Sequence, residues 1–130
     1  MIKEIQFQRS KQRIYAMDEY YCVVADYPCR DAYYNDNGLR ESLPNGTYLH
    51  VSAEITNGKY GAAYGNFYIT TGDFRGRDIH GGGSDLRDPF ADYQPLVPTY
   101  GCLRMYNKDG VELSQMIIDS GNDVILTVVD

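Results

Sequence analysis

The sequence predicts a mostly-β domain, a mixed β-sandwich or barrel carrying one short helix. Three observations lead there. Short runs with apolar residues at every second position recur along the chain, as strands with one buried face require. The 13 tyrosines, in a chain of 130 residues without tryptophan, stand mostly among Val, Ile and Thr, company that suits a pleated, half-buried surface. Only Val111 to Ser120 carries apolar residues at helical spacing, with Leu113, Met116 and Ile117 on one face.

In chain order, Ile2 to Gln8 and Ile14 to Met17 form a first hairpin, and the positive stretch Arg9 to Arg13 between them reads as a solvated turn. Tyr20 to Ala25 reads as a buried third strand that takes Cys22 inside as a small hydrophobe. Asp26 to Gly46 then breaks, with turn signals at Asn35-Asp36-Asn37-Gly38 and Pro44-Asn45-Gly46. Thr47 to Ile55 alternates, placing Leu49, Val51, Ala53 and Ile55 on one face and His50 on the other. Asn66 to Thr71 and Arg77 to His80 follow as strands, and Gly81-Gly82-Gly83 after the second sets His80 on a flexible rim. Ser84 to Thr99, with Pro89, Pro95 and Pro98 and few apolar residues, is a surface loop long enough to act as a lid. Asn107 or Asp109 starts the helix and Gly121 stops it. Val124 to Val129 has the length and β-branching of a central strand. No linker composition divides the chain, so residues 1–130 read as one domain.

Charge and composition exclude several roles. A net charge of −6 with no Lys/Arg cluster leaves no surface for nucleic acid. No apolar run is long enough to span a membrane. The first residues, Met1-Ile2-Lys3-Glu4-Ile5-Gln6-Phe7, alternate instead of forming a signal peptide, so synthesis in the cytoplasm is expected. Three cysteines, an odd count without an export signal, are read as free thiols. Cys22 and Cys29 are too far apart for a zinc knuckle, His50 and His80 have no close ligand neighbour, and Asp85, Asp88 and Asp92 lack calcium-loop spacing. No phosphate-loop Lys-Ser/Thr follows Gly81-Gly82-Gly83, so neither metal nor cofactor is expected.

Cysteine catalysis needs a nucleophilic sulfur, an imidazole to take its proton, and N–H donors for the developing oxyanion. Cys102 follows Gly101, whose bare backbone turns tightly, and the amides of Tyr100, Gly101 and Cys102 are candidates for the oxyanion hole. His80 is the imidazole to pair with it, and a histidine neighbour lowers a thiol pKa from about 8.5 to between about 3.5 and 7.5. His50, on the polar face of its strand, reads as a surface histidine.

The segments Ile79-His80-Gly81-Gly82 and Thr99-Tyr100-Gly101-Cys102-Leu103-Arg104-Met105 are 102 − 80 = 22 residues apart from His to Cys. Together they resemble the L,D-transpeptidase catalytic domain, whose motif sets a His-Gly about twenty residues before Ser/Thr-x-Gly-Cys-x-Arg. Leu43-Pro44-Asn45-Gly46-Thr47-Tyr48 and Gly121-Asn122-Asp123-Val124-Ile125 are similar to the strands flanking that motif, so the resemblance spans roughly residues 40 to 128.

The resemblance implies a fold with the short helix after the nucleophile and no cofactor. It makes Cys102 the nucleophile on the third residue of a peptidoglycan stem tetrapeptide, forming a thioester, with His80 as base and Gly81 orienting its ring through a carbonyl. Arg104 fixes the loop or a substrate carboxylate, and the acceptor is an amine (transpeptidation) or water (carboxypeptidation). The family often has His where this chain has Tyr100, so no second imidazole assists. Two other functions fit the residues: a non-catalytic cell-wall-binding domain, and a cysteine amidase or peptidase acting on another peptide bond. A short chain without a signal is expected to reach the periplasm or cell wall by a secretion machine or phage, as a toxin effector with an immunity protein for partner.

Overall fold

The computed structural model describes residues 1–32 and 42–130. Its strands are β1 (Glu4–Gln8), β2 (Arg13–Met17), β3 (Val23–Pro28), β4 (Gly46–Ile55), β5 (Phe67–Thr70), β6 (Ile79–His80), β7 (Leu103–Arg104) and β8 (Val124–Val129), and α1 (Asn107–Asp119) lies between β7 and β8. They form one curled sheet in the order β3-β2-β1-β8-β4-β5-β6-β7. The mostly-β reading with one helix after Cys102 is borne out.

Alternation builds the sheet's centre. Ile5 and Phe7 of β1, Ile14 and Ala16 of β2, and Val124, Leu126 and Val128 of β8 point into the core, each buried. The last strand, β8, runs parallel to β1 and antiparallel to β4, so the end of the chain is its middle strand, as its apolar composition predicts. Helix α1 covers β4 and β5 with Leu113 and Ile117, and Gly110 lets it approach so closely that a Cβ there would stand 1.9 Å from the Phe67 ring. Gly121, at φ +71°, ends the helix as the sequence predicts: its N–H donates to Ile118 O, and that of Asn122 to Ile117 O.

The two edges of the sheet meet. Arg30, just past β3, exchanges backbone hydrogen bonds of 2.8 and 2.7 Å with Arg104 of β7, closing one end of the sheet in the manner of a barrel.

Four expectations are corrected. The third strand begins at Val23 and runs along an edge, because the Asp18 carboxylate accepts from the N–H groups of Tyr20 and Cys22 and holds a tight turn there. Tyr20, Tyr21, Cys22, Val23 and Val24 are consequently exposed, and Cys29 is the buried cysteine. In β4 an extra residue between Tyr48 and Val51 breaks the alternation, so Leu49 is 67% exposed while Tyr48 and Val51 turn toward the core. The turn around Arg9 is more than solvated, since that guanidinium donates to Asp31, Ser42, Leu43 O and Asn45 at 2.6–3.0 Å and ties down the chain after the long connection. Gly81, Gly82 and Gly83 are buried, not a loose rim. The turn expected at Asn35–Gly38 lies outside the described residues.

Candidate active site

Two-residue strands carry the site. Register sets Glu54 of β4 opposite Tyr68 of β5, Tyr68 opposite His80 of β6, and His80 opposite Arg104 of β7. Register partners share a face, so these four side chains form one row across the sheet. At one end, His80, Cys102 and Arg104 line a cleft of about 550 Å³, whose other walls include Tyr64, Arg75, Arg77, Asp85, Val97 and Tyr100. The opposite end opens into a second cavity.

His80 is buried, its ring stacked on Tyr68 (6.2 Å between centroids, 12° between planes) and met edge-on by Tyr64 at 5.1 Å. Its Nδ1 lies 2.9 Å from Gly81 O. A carbonyl only accepts, so Nδ1 carries the proton and Nε2 of the neutral ring keeps its lone pair as an acceptor. Burial holds the imidazole down at about 4, against the Gly81 hydrogen bond, which favours the charged form.

Cys102 sits one residue before β7 and is half-buried; its Sγ accepts from the Asp78 N–H at 3.4 Å. That hydrogen bond favours the thiolate, yet burial outweighs it, with the Asp78 carboxylate adding to the rise and Arg104 opposing it, and the thiol is pushed above its usual range. The expected lowering of the thiol pKa beside histidine is therefore corrected: both groups rest neutral, because the fold desolvates both.

Asp78, two residues before His80, is the buried hinge of this arrangement. Its carboxylate accepts from Tyr68 Oη at 2.7 Å and from Thr71 N and Oγ1 at 2.9 and 3.3 Å, while its backbone donates to the sulfur and accepts from Leu103 N. Two of its donors, Tyr68 and Thr71, belong to β5 or directly follow it.

The turn before Cys102 is locked by Thr99, whose hydroxyl donates to Cys102 O and accepts from Gly101 N at 3.2 Å. The Gly101 amide thus points at the Thr99 hydroxyl. Gly101 adopts φ +150°, which glycine reaches freely. Tyr100 is 91% exposed on the cleft rim. Arg104 is buried, donating to Gly81 O at 3.4 Å and to Val97 O and Pro98 O at 2.8 and 3.5 Å, so it braces both the histidine's carbonyl partner and the loop before Cys102.

Asn107, expected to cap the helix, does something larger. Its Oδ1 accepts from Asn66 N and Gly82 N, its Nδ2 donates to Pro89 O and Ala91 O, and its own N–H donates to Gln94 Oε1. The side chain thus joins β5, the loop after His80 and the proline-rich segment. Gly82 at φ +66° completes the junction, since a Cβ there would stand 2.2 Å from Ala62 O. The segment Ser84–Thr99, expected to act as a lid, is tied down by Asn107, Gln94 and Arg104 and forms one wall of the cleft.

Of the residues singled out in the sequence, the structure brings Cys102, His80, Tyr100, Gly101 and Arg104 to one cleft and sets Gly81 against the histidine ring. His50 is exposed on β4, away from the cleft lining. Sequence reasoning missed Asp78, Tyr68, Tyr64 and the linking role of Asn107. Asp78 was within reach, because the two-residue period places it on the face of His80. Among the described residues no three His, Cys, Asp or Glu side chains gather as a metal site, and no helix is long and apolar enough to cross a membrane.

No protein-family model and no curated protein matches the sequence. Solved structures do match its fold. An L,D-transpeptidase from Stackebrandtia nassauensis is 12% identical with a TM-score of 0.64, covering 100% of this chain and 56% of that one. An Enterococcus faecium L,D-transpeptidase mutant is 14% identical with a TM-score of 0.64, covering 98% and 50%. A mutant of the helical cell shape determining protein of Campylobacter jejuni is 15% identical with a TM-score of 0.65, covering 98% and 46%. The chain spans about half the length of the structures it matches, and its fold is that of L,D-transpeptidase domains.

Proposed function

We propose that this chain is a cysteine acyltransferase acting on peptidoglycan stem tetrapeptides. The carrying observation is the pairing of β6 with β7, which sets Cys102 and a His80 of fixed tautomer on one cleft. Cys102 Sγ attacks the carbonyl carbon of the third residue as His80 Nε2 takes the thiol proton. Backbone N–H groups of the turn Tyr100-Gly101-Cys102 receive the oxyanion. The tetrahedral intermediate collapses, the C–N bond to the terminal D-amino acid breaks, and His80 returns the proton to the leaving amine. A thioester remains. An amine or water then attacks it, gives its proton to His80, and the thiol is restored.

Starting neutral suits this sequence, because burying a thiol and an imidazole uncharged costs far less than burying an ion pair. The charge then forms only when substrate is present. The test is product analysis of a disaccharide-tetrapeptide incubated with native protein, Cys102→Ala and His80→Gln. Loss of the terminal D-amino acid by the native protein alone supports the proposal, with tripeptide marking water and cross-linked dimer marking an amine as acceptor. Cleavage at another bond would replace it with a peptidase or amidase, and no product from folded protein would leave a wall-binding domain.

A further inference from the structure

The far end of the cross-strand row opens into a second cavity of about 450 Å³, lined by Ser52, Glu54, Tyr60, Tyr64, Tyr68 and Thr70. Its floor follows from the register of β4 and β5. Ser52 pairs with Thr70 and Glu54 with Tyr68, so all four face outward together. The turn after β4 adds Tyr60 and Tyr64, which pack edge-on against Tyr68 at 6.0 and 5.5 Å.

These rings are held and only partly covered, the Lys59 ammonium lying over Tyr60 at 5.1 Å from the ring centroid. The Tyr68 hydroxyl is committed to Asp78 and the Tyr60 hydroxyl to Glu54 Oε1 at 2.8 Å, so neither ring swings freely. Even so, Tyr60 is 46% and Tyr64 38% exposed. The one carboxylate present is matched by Lys59, whose ammonium lies 3.0 Å from Glu54. A rigid aromatic cup of balanced charge, rimmed by hydroxyl and carboxylate oxygens, fits a neutral ring with an apolar face and polar edges. That is the chemistry of a pyranose.

We infer that this cavity is a saccharide subsite, holding a sugar of the glycan strand while its stem peptide lies in the neighbouring cleft. The inference rests on the proposed acyl transfer for the identity of that sugar. Tyr64 lines both cavities. Neighbouring strands lie about 4.8 Å apart, so Glu54 stands roughly 10 Å from His80 along the row. An extended peptide spans about 3.3–3.6 Å per residue. The two stem residues before the acylated one, with their link to the sugar, cover the same reach.

The experiment titrates the full native chain, ¹⁵N-labelled, with the peptide-free disaccharide of N-acetylglucosamine and N-acetylmuramic acid, its lactyl carboxyl capped as the methylamide to match the neutral sugar of the glycan strand, following amide shifts. Saturable shifts confined to Ser52, Tyr60, Tyr64 and Thr70 are expected. Tyr60→Leu should weaken them about tenfold, the worth of a lost stacking face, while Tyr60→Phe keeps them. Tyr60→Leu should also slow acylation by the disaccharide-tetrapeptide and leave acylation by the bare tetrapeptide unchanged. No shifts at millimolar disaccharide, or shifts at these amides given equally by bare tetrapeptide or by lysine, would overturn the subsite. Sugar binding is read without any chemistry at Cys102, so a protein that binds sugar but forms no thioester sinks the acyltransfer proposal alone.

Discussion

The two halves of the sheet share one apolar core but differ in what is added to it. Strands β1, β2 and β8 are five or six residues long and bury an apolar side chain at every second position. Strands β6 and β7 are two residues each and bury one apolar side chain apiece, Ile79 and Leu103, while around them the side chains of Asp78, Asn107, Gln94 and Arg104 bond to backbone. Apolar burial tolerates small shifts, whereas a hydrogen-bonded junction fails when one member is lost, since its partners stay buried and unpaired. The half that carries Cys102 and His80 is the half that adds directional bonds to its apolar burial.

Substitutions should separate these halves. The largest effect is expected from Asn107→Ala, which leaves the buried Gly82 amide and the partly buried groups of Asn66, Pro89 and Ala91 without their partner. Unfolding in urea should show a loss of about 4 kcal/mol, with acylation falling even in the folded fraction. Leu126→Ala, in the central strand, should cost about 3 kcal/mol and leave acylation per folded molecule unaltered. An equal loss of activity in both variants would erase the distinction.

His80 gives a pH test of the same comparison. Its folded pKa of about 4 lies below the ordinary 6.5, so the unfolded chain takes up a proton that the buried ring refuses. Its contribution is complete above pH 6.5 and is lost as pH falls toward 4, by up to about 3 kcal/mol. Denaturant titrations at pH 7 and 4.5 should show this loss in the native protein and a smaller one in His80→Gln. The acid limb of acylation should likewise fall near 4, well below that of an ordinary imidazole. An acid limb at 6.5 would contradict a buried base.

The smallest effect concerns Asp78→Asn, which keeps the shape but removes a charge that raises both the thiol and the imidazole pKa. Alkylation of Cys102 by iodoacetamide at fixed pH should quicken, by less than about tenfold, as the thiolate grows easier to form. A slower reaction would mean the carboxylate supports the thiolate by some other route.

Legibility in the sequence follows the same division. Strands β1, β2 and β8, and the stop of α1 at Gly121, were readable because period and terminator are local signals. The shifted start of β3 and the irregularity in β4 were not, since an Asp18 turn and an extra residue opposite Val124–Leu126 leave the apolar pattern intact while changing its facing. Cys102 and His80 were legible as a spaced motif. Their neutral resting state was not, because desolvation belongs to the assembled fold. Asn107 read as a cap because a sequence shows its place at a helix start and not the three segments that converge on it.

The central claim is a covalent bond at Cys102. Intact-mass spectrometry after mixing the protein with a purified disaccharide-tetrapeptide tests it most directly, with Cys102→Ala as control. The account expects an adduct equal to the substrate less its terminal D-amino acid, on the native protein only. Unmodified, folded protein beside intact tetrapeptide at every pH from 5 to 9 would contradict it.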